Sequence, residues 1–355
     1  MTQNNNLWSC NEWDPLKEII IGTAINTNIP HGDLSHHATN YANLSPKEYA
    51  NMPKGRYPDH VYNEAEEDLD ALCNVLSNDF GVKVHRPNLI DFDAKISNGL
   101  WETDQYEAYC PRDSVTVIGD KIIEGAMSLR ARYHETFLFR DLFMDKMMEG
   151  ANWLQMPKPR LEDSLFKIQP GRDPSVNNNE PILDPANLIR MGYDILYLIS
   201  NTGNEMGAKW LQNALGPDFR VHKMHDLYSW AHVDSTIMPL RPGLVILNSS
   251  RVDKDKINLL DSCYLHSFFN QNDNNLENNS SDNDNSDDIK PSHIHEYKPV
   301  RTDSASESGS APESDNKSDS SSDSESDSEY LSGIDSESEL DLDSIPEVDS
   351  RLLEI

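Results

Sequence analysis

The amino-acid sequence predicts an α/β protein built from repeated strand–helix modules and followed by a disordered tail. Three observations lead to this prediction. Apolar hairpins alternate with amphipathic helices up to about residue 270, the predicted helices end at glycines, and the composition then changes to Asn, Ser, Asp and Glu. A strand–helix–strand unit that recurs along a chain is typical of a modular α/β fold.

The clearest module begins with a hairpin. Val115–Ile118 is apolar and β-branched, residues 119–120 form a turn, and residues 122–123 continue on the return strand. Helical spacing of apolar residues follows over 128–148. The pattern stops before Gly150, where a glycine can adopt the left-handed cap conformation.

Three further copies support the repeat. A second hairpin is predicted at 236–238 and 244–247, with its turn at 241–243 and a short helix at 254–260. Two partial copies share the order helix, capping glycine and strand: 66–80, Gly81 and 82–84 in one, and Glu205–Leu215, Gly216 and 219–221, after a strand at Asp194–Leu198, in the other. A Rossmann-like sheet is the alternative, but no GxGxxG follows any of these strands.

Charge divides the chain into two parts. The 355 residues carry a formal net charge of −31, and residues 271–355 hold 24 acidic and 5 basic side chains, a net of −19. Such a segment cannot bury enough apolar surface to offset its ordering entropy. We therefore expect a globular domain over 1–262 and a disordered acidic tail over 263–355.

Composition also excludes several classes of function. The acidic balance argues against a basic nucleic-acid-binding face, and no apolar run reaches the roughly 20 residues of a membrane helix. The four cysteines lie far apart without a CxxC pair, which favours neither a metal site nor a disulfide framework. With no signal or transit pattern at the N-terminus, we expect a cytoplasmic protein without a metal or cofactor.

Four places carry charged residues where a plain strand would not need them. Asp113 directly precedes the strand at 115, and Asp184 precedes Pro185; both are also ordinary turn residues. His232 and Asp234 would face one side if their segment were extended, as general acid–base chemistry requires. Arg251 follows a strand and could bind a carboxylate, or simply be solvated. A two-carboxylate glycosidase site at Asp113 and Asp184 is conceivable, but their spacing does not select it.

Taken together, these segments resemble the glycine and inosamine-phosphate amidinotransferases. The matching segments occur in the family's order and share charged motif residues: Asn11–Gly22, Pro111-Arg112-Asp113, Ile122-Ile123-Glu124, Arg130-x-Arg132 with Glu135, Asp184 with Ile189-Arg190-x-Gly192-x-Asp194, and His232-x-Asp234-x-Thr236. The order of the segments is more specific than any single one of them.

The resemblance implies a pentein α/β propeller and a known chemistry. In the family, a cysteine thiolate attacks the guanidino carbon of arginine, and the amidino group is then passed to an acceptor amine. By resemblance, His232 is the general acid–base, with Asp184 as its partner. Asp113 and Asp234 hold the guanidinium, and Arg251 engages the carboxylate of the substrate. The family often forms homodimers.

The nucleophile expected from the resemblance is missing. In the family it lies in a Gly-rich segment with a histidine before the cysteine, whereas here the matching stops near Leu260. We therefore expect an incomplete ring. Cys263 lies where a core strand should begin and Cys110 precedes the Asp113 motif, so neither is expected to replace the thiolate.

Three hypotheses remain open at this point. The chain is an amidinotransferase-like protein that is inactive or needs help, a pseudoenzyme whose acidic tail is phosphorylated by a kinase, or the product of a frameshift that replaced the natural C-terminus. Serines followed by acidic residues at 318–328 suit acidophilic kinases. The acceptor amine is not specified by the sequence.

Overall fold

The computed structural model describes residues 7–169, 174–225, 227, 231–248 and 251–252, and the backbone of Ser350–Glu354. Its strands are β1 (Glu18–Ile20), β2 (Asn28–Ile29), β3 (Gly55–Arg56), β4 (Lys83–His85), β5 (Lys95–Ser97), β6 (Glu102–Asp104), β7 (Val115–Ile118), β8 (Lys121–Glu124), β9 (Asn152–Gln155), β10 (Leu188–Met191), β11 (Asp194–Leu198), β12 (Arg220–Met224), β13 (Ile237–Arg241), β14 (Leu244–Asn248) and β15 (Ser350–Glu354). Its α-helices are α1 (Leu34–Asn40), α2 (Pro46–Ala50), α3 (Asp59–Asn74), α4 (Pro111–Ser114), α5 (Arg140–Met148) and α6 (Glu205–Leu215). None of these helices is long and apolar enough to span a membrane.

The predicted module is present as a three-stranded sheet with one helix. β7 and β8 form an antiparallel hairpin, and β9 then pairs with β8 in parallel after α5. β10, β11, α6 and β12 repeat this arrangement. Because a parallel pair needs a crossover, the helix between the second and third strands follows from the sheet topology.

Two other units are partial copies. β1 pairs in parallel with β4 after α3. β13 and β14 form a hairpin whose turn contains Gly243 at a φ of 78°. The repeat predicted from the sequence is therefore confirmed as an organisation of the described chain, and its helix Glu205–Leu215 and strands Val115–Ile118 and Asp194–Leu198 have the predicted bounds.

The core lies on both faces of β11. Ile195 and Tyr197 pack into one buried apolar cluster with α6, while Leu196 and Leu198 pack into another with β13 and β14. All five residues of this strand are buried. A strand covered on both faces is expected to be continuously apolar, which explains why it was recognisable in the sequence.

The helix predicted over 128–148 is wrong in its first half. Residues Arg130–Arg132 and Glu135–Phe139 form 3₁₀ turns, and the α-helix begins only at Arg140. Residues two apart lie on roughly opposite sides of an α-helix, yet the guanidinium groups of Arg130 and Arg132 are both buried against other parts of the protein. The irregular turns allow both side chains to reach these partners.

Other differences are smaller. β10 was not predicted, and the helix predicted at 254–260 lies outside the described residues. Most of the predicted tail over 263–355 also lies outside them, but the backbone of β15 pairs antiparallel with β14. That strand was not anticipated, because two leucines within a long acidic segment give no recognisable strand pattern.

We expect Gly207→Ala to destabilise the protein although alanine is the better helix former. A Cβ atom at Gly207, in the first turn of α6, would lie 2.1 Å from the carbonyl oxygen of Ile182. Overpacking of this kind costs about 1–3 kcal/mol. Urea unfolding should show the loss, whereas Asn213→Ala on the exposed face of the same helix should change the free energy of unfolding by less than about 0.5 kcal/mol. Equal effects of the two changes would contradict the close contact.

Candidate active site

The predicted site residues come from equivalent positions in three successive modules. Asp113 lies two residues before β7, Asp184 lies four before β10, and His232 and Asp234 lie five and three before β13. Each is therefore in the segment that leads into the first strand of a hairpin. Since the modules repeat one topology, these segments converge on one point.

Asp113 lies in α4 and is 7% exposed. Pro111 at the start of this short helix suits the first helical position, where no backbone N–H is needed. The Oδ2 atom of Asp113 accepts a hydrogen bond from Nη1 of Arg132 at 2.7 Å. Its Oδ1 atom lies 3.6 Å from Nδ1 of His232. The carboxylate thus joins a buried arginine to the imidazole.

Asp184 lies just before the 3₁₀ turn Pro185–Asn187 and is 2% exposed. Its Oδ1 atom accepts from the backbone N–H of Ser128 at 3.1 Å, and its Oδ2 atom lies 3.4 Å from Nε2 of His232. Burial raises the pKa of Asp184, and the hydrogen bond and charge of His232 oppose this shift. The second oxygen is therefore directed at the imidazole while the first is fixed by the backbone.

His232 is held between the two carboxylates. One ring nitrogen faces Asp184 and the other faces Asp113. Its loop is fixed to the turn Pro185–Asn187: the His232 N–H donates to Oδ1 of Asn187 at 3.2 Å, and the Val233 N–H donates to the Ala186 carbonyl at 3.0 Å. The imidazole is thereby fixed in position before any ligand binds.

The extended segment under which His232 and Asp234 would face one side does not form. His232 has a φ of 64°, in the left-handed region, and residues 234–236 form a turn before β13. A non-glycine residue in that region carries a cost of order 1–3 kcal/mol, which the surrounding contacts must offset. The two side chains are nevertheless close: burial raises the pKa of Asp234, and the charges of Arg112 and His232 oppose this shift.

The two carboxylates determine the charge of the imidazole. Burial alone would lower the pKa of His232, but the hydrogen bond to Asp184 and the negative charge of Asp113 outweigh it and raise that pKa above 6.5. The imidazolium form is thus stabilised at neutral pH, as a proton donor requires.

Asp234 is positioned by a second charged network. Its Oδ2 atom accepts from Nε of Arg112 at 3.1 Å, and Arg112 also contacts Glu12 and the carbonyl of Leu188. Glu12 in turn binds Arg190 through both oxygens. Arg190 and Arg112 hold the pKa of Glu12 at about 2 despite its burial. The N-terminal segment therefore helps to fix Asp234 in the site.

Arg251 is the most peripheral of the predicted residues. It follows β14, and its Nη1 atom donates to the hydroxyls of Ser235 at 3.0 Å and Thr236 at 3.2 Å. These two residues come directly after Asp234. The structure thus places Arg251 against the site loop, while Asp113, Asp184, His232 and Asp234 form the centre.

Three charged residues near this centre were not singled out as site residues in the sequence. Arg132 is buried and donates through Nε and Nη2 to both oxygens of Glu135, besides its bond to Asp113. Glu107 lies 4.0 Å from Nη1 of Arg132. Arg132 and Glu135 belong to the matched segments. They are charged residues within the apolar spacing over 128–148, and this was the sequence signal that could have identified them. Glu107 had no such signal.

None of the three described cysteines is a suitable nucleophile. Burial and the charges of Asp113 and Glu107 raise the pKa of the Cys110 thiol to about 12. Burial also raises the pKa of Cys10. Cys73 lies on α3, within hydrogen-bond distance of Arg86 in another part of the fold. Cys263 lies outside the described residues, and no group of three metal-ligating side chains occurs within them.

Comparisons with curated proteins reveal close relatives over most of the chain. The chain is 45% identical over 247 residues to inosamine-phosphate amidinotransferase 1 of Streptomyces glaucescens, covering 70% of each chain. It is 33% identical over 261 residues to the mitochondrial glycine amidinotransferase of Xenopus tropicalis, covering 68% of this chain and 60% of that protein. No family model matches the chain.

Solved structures are similar over the same extent. Inosamine-phosphate amidinotransferase StrB1 from Streptomyces griseus has a TM-score of 0.68 at 44% identity, covering 71% of this chain and 72% of its own. SxtG, an amidinotransferase of the saxitoxin pathway of Microseira wollei, has a TM-score of 0.63 at 32% identity, covering 70% and 72%. The fold is therefore the pentein α/β propeller expected from the sequence. The chain belongs to the amidinotransferase family.

Replacing Arg132 should strongly destabilise the protein. Arg132→Met leaves Asp113 and Glu135 buried without their shared cation, which costs about 3–5 kcal/mol. The matched control is Arg160→Met, since Arg160 pairs with Glu180 at the surface, where a pair is worth about 0–1 kcal/mol. Urea unfolding measures both, and a loss below about 1 kcal/mol for Arg132→Met would contradict the role given to the buried arginine.

His232 should titrate above its ordinary pKa, and this should depend on Asp184. Removing the carboxylate in Asp184→Asn leaves burial as the larger effect, so the pKa of His232 should fall. Its ring signals, assigned by comparison with His232→Asn, can be followed by NMR between pH 5 and 9. Asp141→Asn, an exposed change elsewhere, should leave the midpoint unchanged. A midpoint that is the same in wild type and Asp184→Asn would refute the coupling.

Proposed function

We propose that the chain binds arginine in this site and is organised for transfer of its amidino group to a small amine. The observation that carries the proposal is the imidazole of His232 fixed between Asp184 and Asp113. A relative of this chain is named for inosamine phosphate and another for glycine as the amine. Membership of the family and this geometry support the same reaction.

The guanidinium is held by carboxylates. A guanidinium presents five N–H donors in one plane, and carboxylates are its best partners. Asp113 and Asp234 are fixed by separate arginines, Arg132 and Arg112, so each keeps its orientation without a ligand. We assign these two as the guanidinium-binding pair, and Arg251 as the partner of the substrate carboxylate.

The proton comes from His232. When the amidino group leaves arginine, the bond between the guanidino carbon and the side-chain nitrogen breaks, and the departing amine of ornithine needs a proton. The imidazolium form of His232, stabilised by both neighbouring carboxylates, supplies it. When an acceptor amine attacks, the neutral imidazole removes a proton in turn, with Asp184 stabilising the charge that forms.

The covalent step needs a thiolate that the described residues do not supply. Cys110 lies beside the site, but a thiol with a pKa of about 12 remains protonated at neutral pH. We therefore propose that the 355-residue chain binds arginine without turning it over. Its homodimeric state, an expectation from the family, is part of this proposal.

A non-catalytic interaction role is the second candidate. It is favoured by the raised pKa of Cys110 together with β15, which joins the far end of the acidic segment to β14 of the arginine-binding domain. In that role a kinase would phosphorylate serines of the segment, and each phosphate would add about −1.5 to −2 charges. Both candidates share the binding site, and the second adds a role for the phosphorylated acidic segment.

Arginine binding and turnover can be measured separately. Calorimetry should show arginine binding, which Asp113→Asn and Asp234→Asn weaken at least about tenfold because each removes a charge-assisted contact, while the surface change Asp141→Asn leaves it unaltered. Incubation with amidino-labelled arginine and glycine should give neither guanidinoacetate nor a labelled protein. Turnover that is lost in Cys263→Ala would show that the chain supplies its own nucleophile, and the absence of arginine binding would refute the proposal.

A further inference from the structure

Glu107 is a buried carboxylate that the site leaves without a strong partner. It lies in the segment between β6 and α4, and its side chain is 16% exposed. Within the part of the chain that the structure describes, it accepts no hydrogen bond, and its nearest cation is Nη1 of Arg132 at 4.0 Å. That same nitrogen already donates to Asp113 at 2.7 Å. A largely buried carboxylate without a close cation is less stable than one that a bound cation contacts.

Arg132 makes its short contacts with other carboxylates, and Glu107 lies beyond hydrogen-bond distance of it. The Nε and Nη2 atoms of Arg132 are used by Glu135, and its Nη1 atom by Asp113. The other carboxylates around the centre each have a closer partner, either a guanidinium or the imidazole of His232. Glu107 is therefore the one described carboxylate of the cluster that is free to bind a further cation.

The charges of the cluster lead to the same conclusion. Five carboxylates face three cations, counting His232 as protonated: Glu107, Asp113, Glu135, Asp184 and Asp234 against Arg112, Arg132 and His232. Glu12 and Arg190 form a neutral pair beside them. With all five carboxylates ionised, two negative charges thus remain. A guanidinium neutralises one of them, so a ligand with a second positive group fits the site better.

Distance allows both groups to belong to one molecule. The carboxylates of Asp113 and Glu107 both lie next to Nη1 of Arg132, at 2.7 and 4.0 Å. They are therefore separated by no more than the length of an arginine side chain. An amino acid whose guanidinium lies at Asp113 can thus extend its ammonium group to Glu107.

We propose that Glu107 binds the α-ammonium group of the amino-acid substrate and makes the site selective for substrates that carry one. This inference rests on the proposed binding of arginine. Burial, reinforced by Glu135 and Asp113, raises the pKa of Glu107 to about 7. The bound ammonium ion favours the ionised carboxylate, so part of the protein population releases a proton when the ligand binds near pH 7.

The test compares two ligands that differ only in the ammonium group. Arginine and 5-guanidinopentanoic acid, which lacks it, are titrated into the full-length wild type and into Glu107→Gln. We expect Glu107→Gln to weaken arginine binding about tenfold or more and to leave binding of the analogue within twofold. Glu102→Gln, an exposed change on β6, serves as the matched control and should alter neither.

Two further measurements make the result independent of folding defects. Because the pKa of Glu107 is raised from 4.5 to about 7, the folded protein loses stability as the pH rises through this range and the buried carboxyl must ionise. Glu107→Gln should therefore raise the melting temperature at pH 8 but not at pH 4. In buffers of different ionisation enthalpy, wild type should release a proton on binding arginine at pH 7, and the variant should release less. Glu107→Asp, which keeps the charge, should retain part of the preference for arginine.

The outcomes are distinguishable. If Glu107→Gln weakens both ligands equally, or neither, while wild type still binds arginine, the role of Glu107 is overturned and the proposed function stands. If wild type binds neither ligand, the proposed function fails, and this inference fails with it.

Discussion

The site depends on the contacts of one buried guanidinium, that of Arg132. It lies in an irregular turn, and its donors bind Glu135 and Asp113 at the same time. Without it, two carboxylates would be buried close together and would neutralise by taking up protons. Because Asp113 stays oriented by Arg132, it can face His232 with its other oxygen. The irregular backbone over residues 130–139 is the structural consequence, since a regular helix could not direct this side chain inward together with that of Arg130.

The repeated architecture explains how so many like charges meet. Each module contributes the segment before its first hairpin strand. These segments converge and bring Asp113, Asp184 and His232 together. Carboxylates at a common point repel one another, and the module that carries Asp113 supplies the compensating donors for all of them: Arg132, the Ser128 N–H and Arg112. The remaining excess of negative charge is the property that makes the site suited to a cationic ligand.

The sequence allowed much of the fold and most residues of the candidate site to be predicted, for identifiable reasons. α6 and β11 have strong periodicity or continuous apolar character, and their bounds were predicted correctly. The turns at 130–139 were mistaken for a helix because apolar spacing does not reveal that two buried arginines must reach different partners. Asp113, Asp184, His232 and Asp234 could be identified from the order of the matching segments. Glu107 could not, because its position beside Arg132, without a hydrogen bond to it, is shown only by the three-dimensional arrangement.

The left-handed backbone of His232 links the protonation of the ring to the mobility of its loop. The φ of 64° is unfavourable by itself, and the contacts of the imidazolium with Asp184 and Asp113 help to offset it. Loss of the proton weakens both contacts while the backbone cost stays the same. The segment that also carries Asp234 should then open more often. The amide hydrogens of Val233 and Asp234 point at the Ala186 carbonyl. As the pH rises, their exchange with solvent should therefore accelerate by more than the base catalysis of amide exchange alone explains. Deprotonation of the ring and opening of the loop would thus be two effects of a single strained residue.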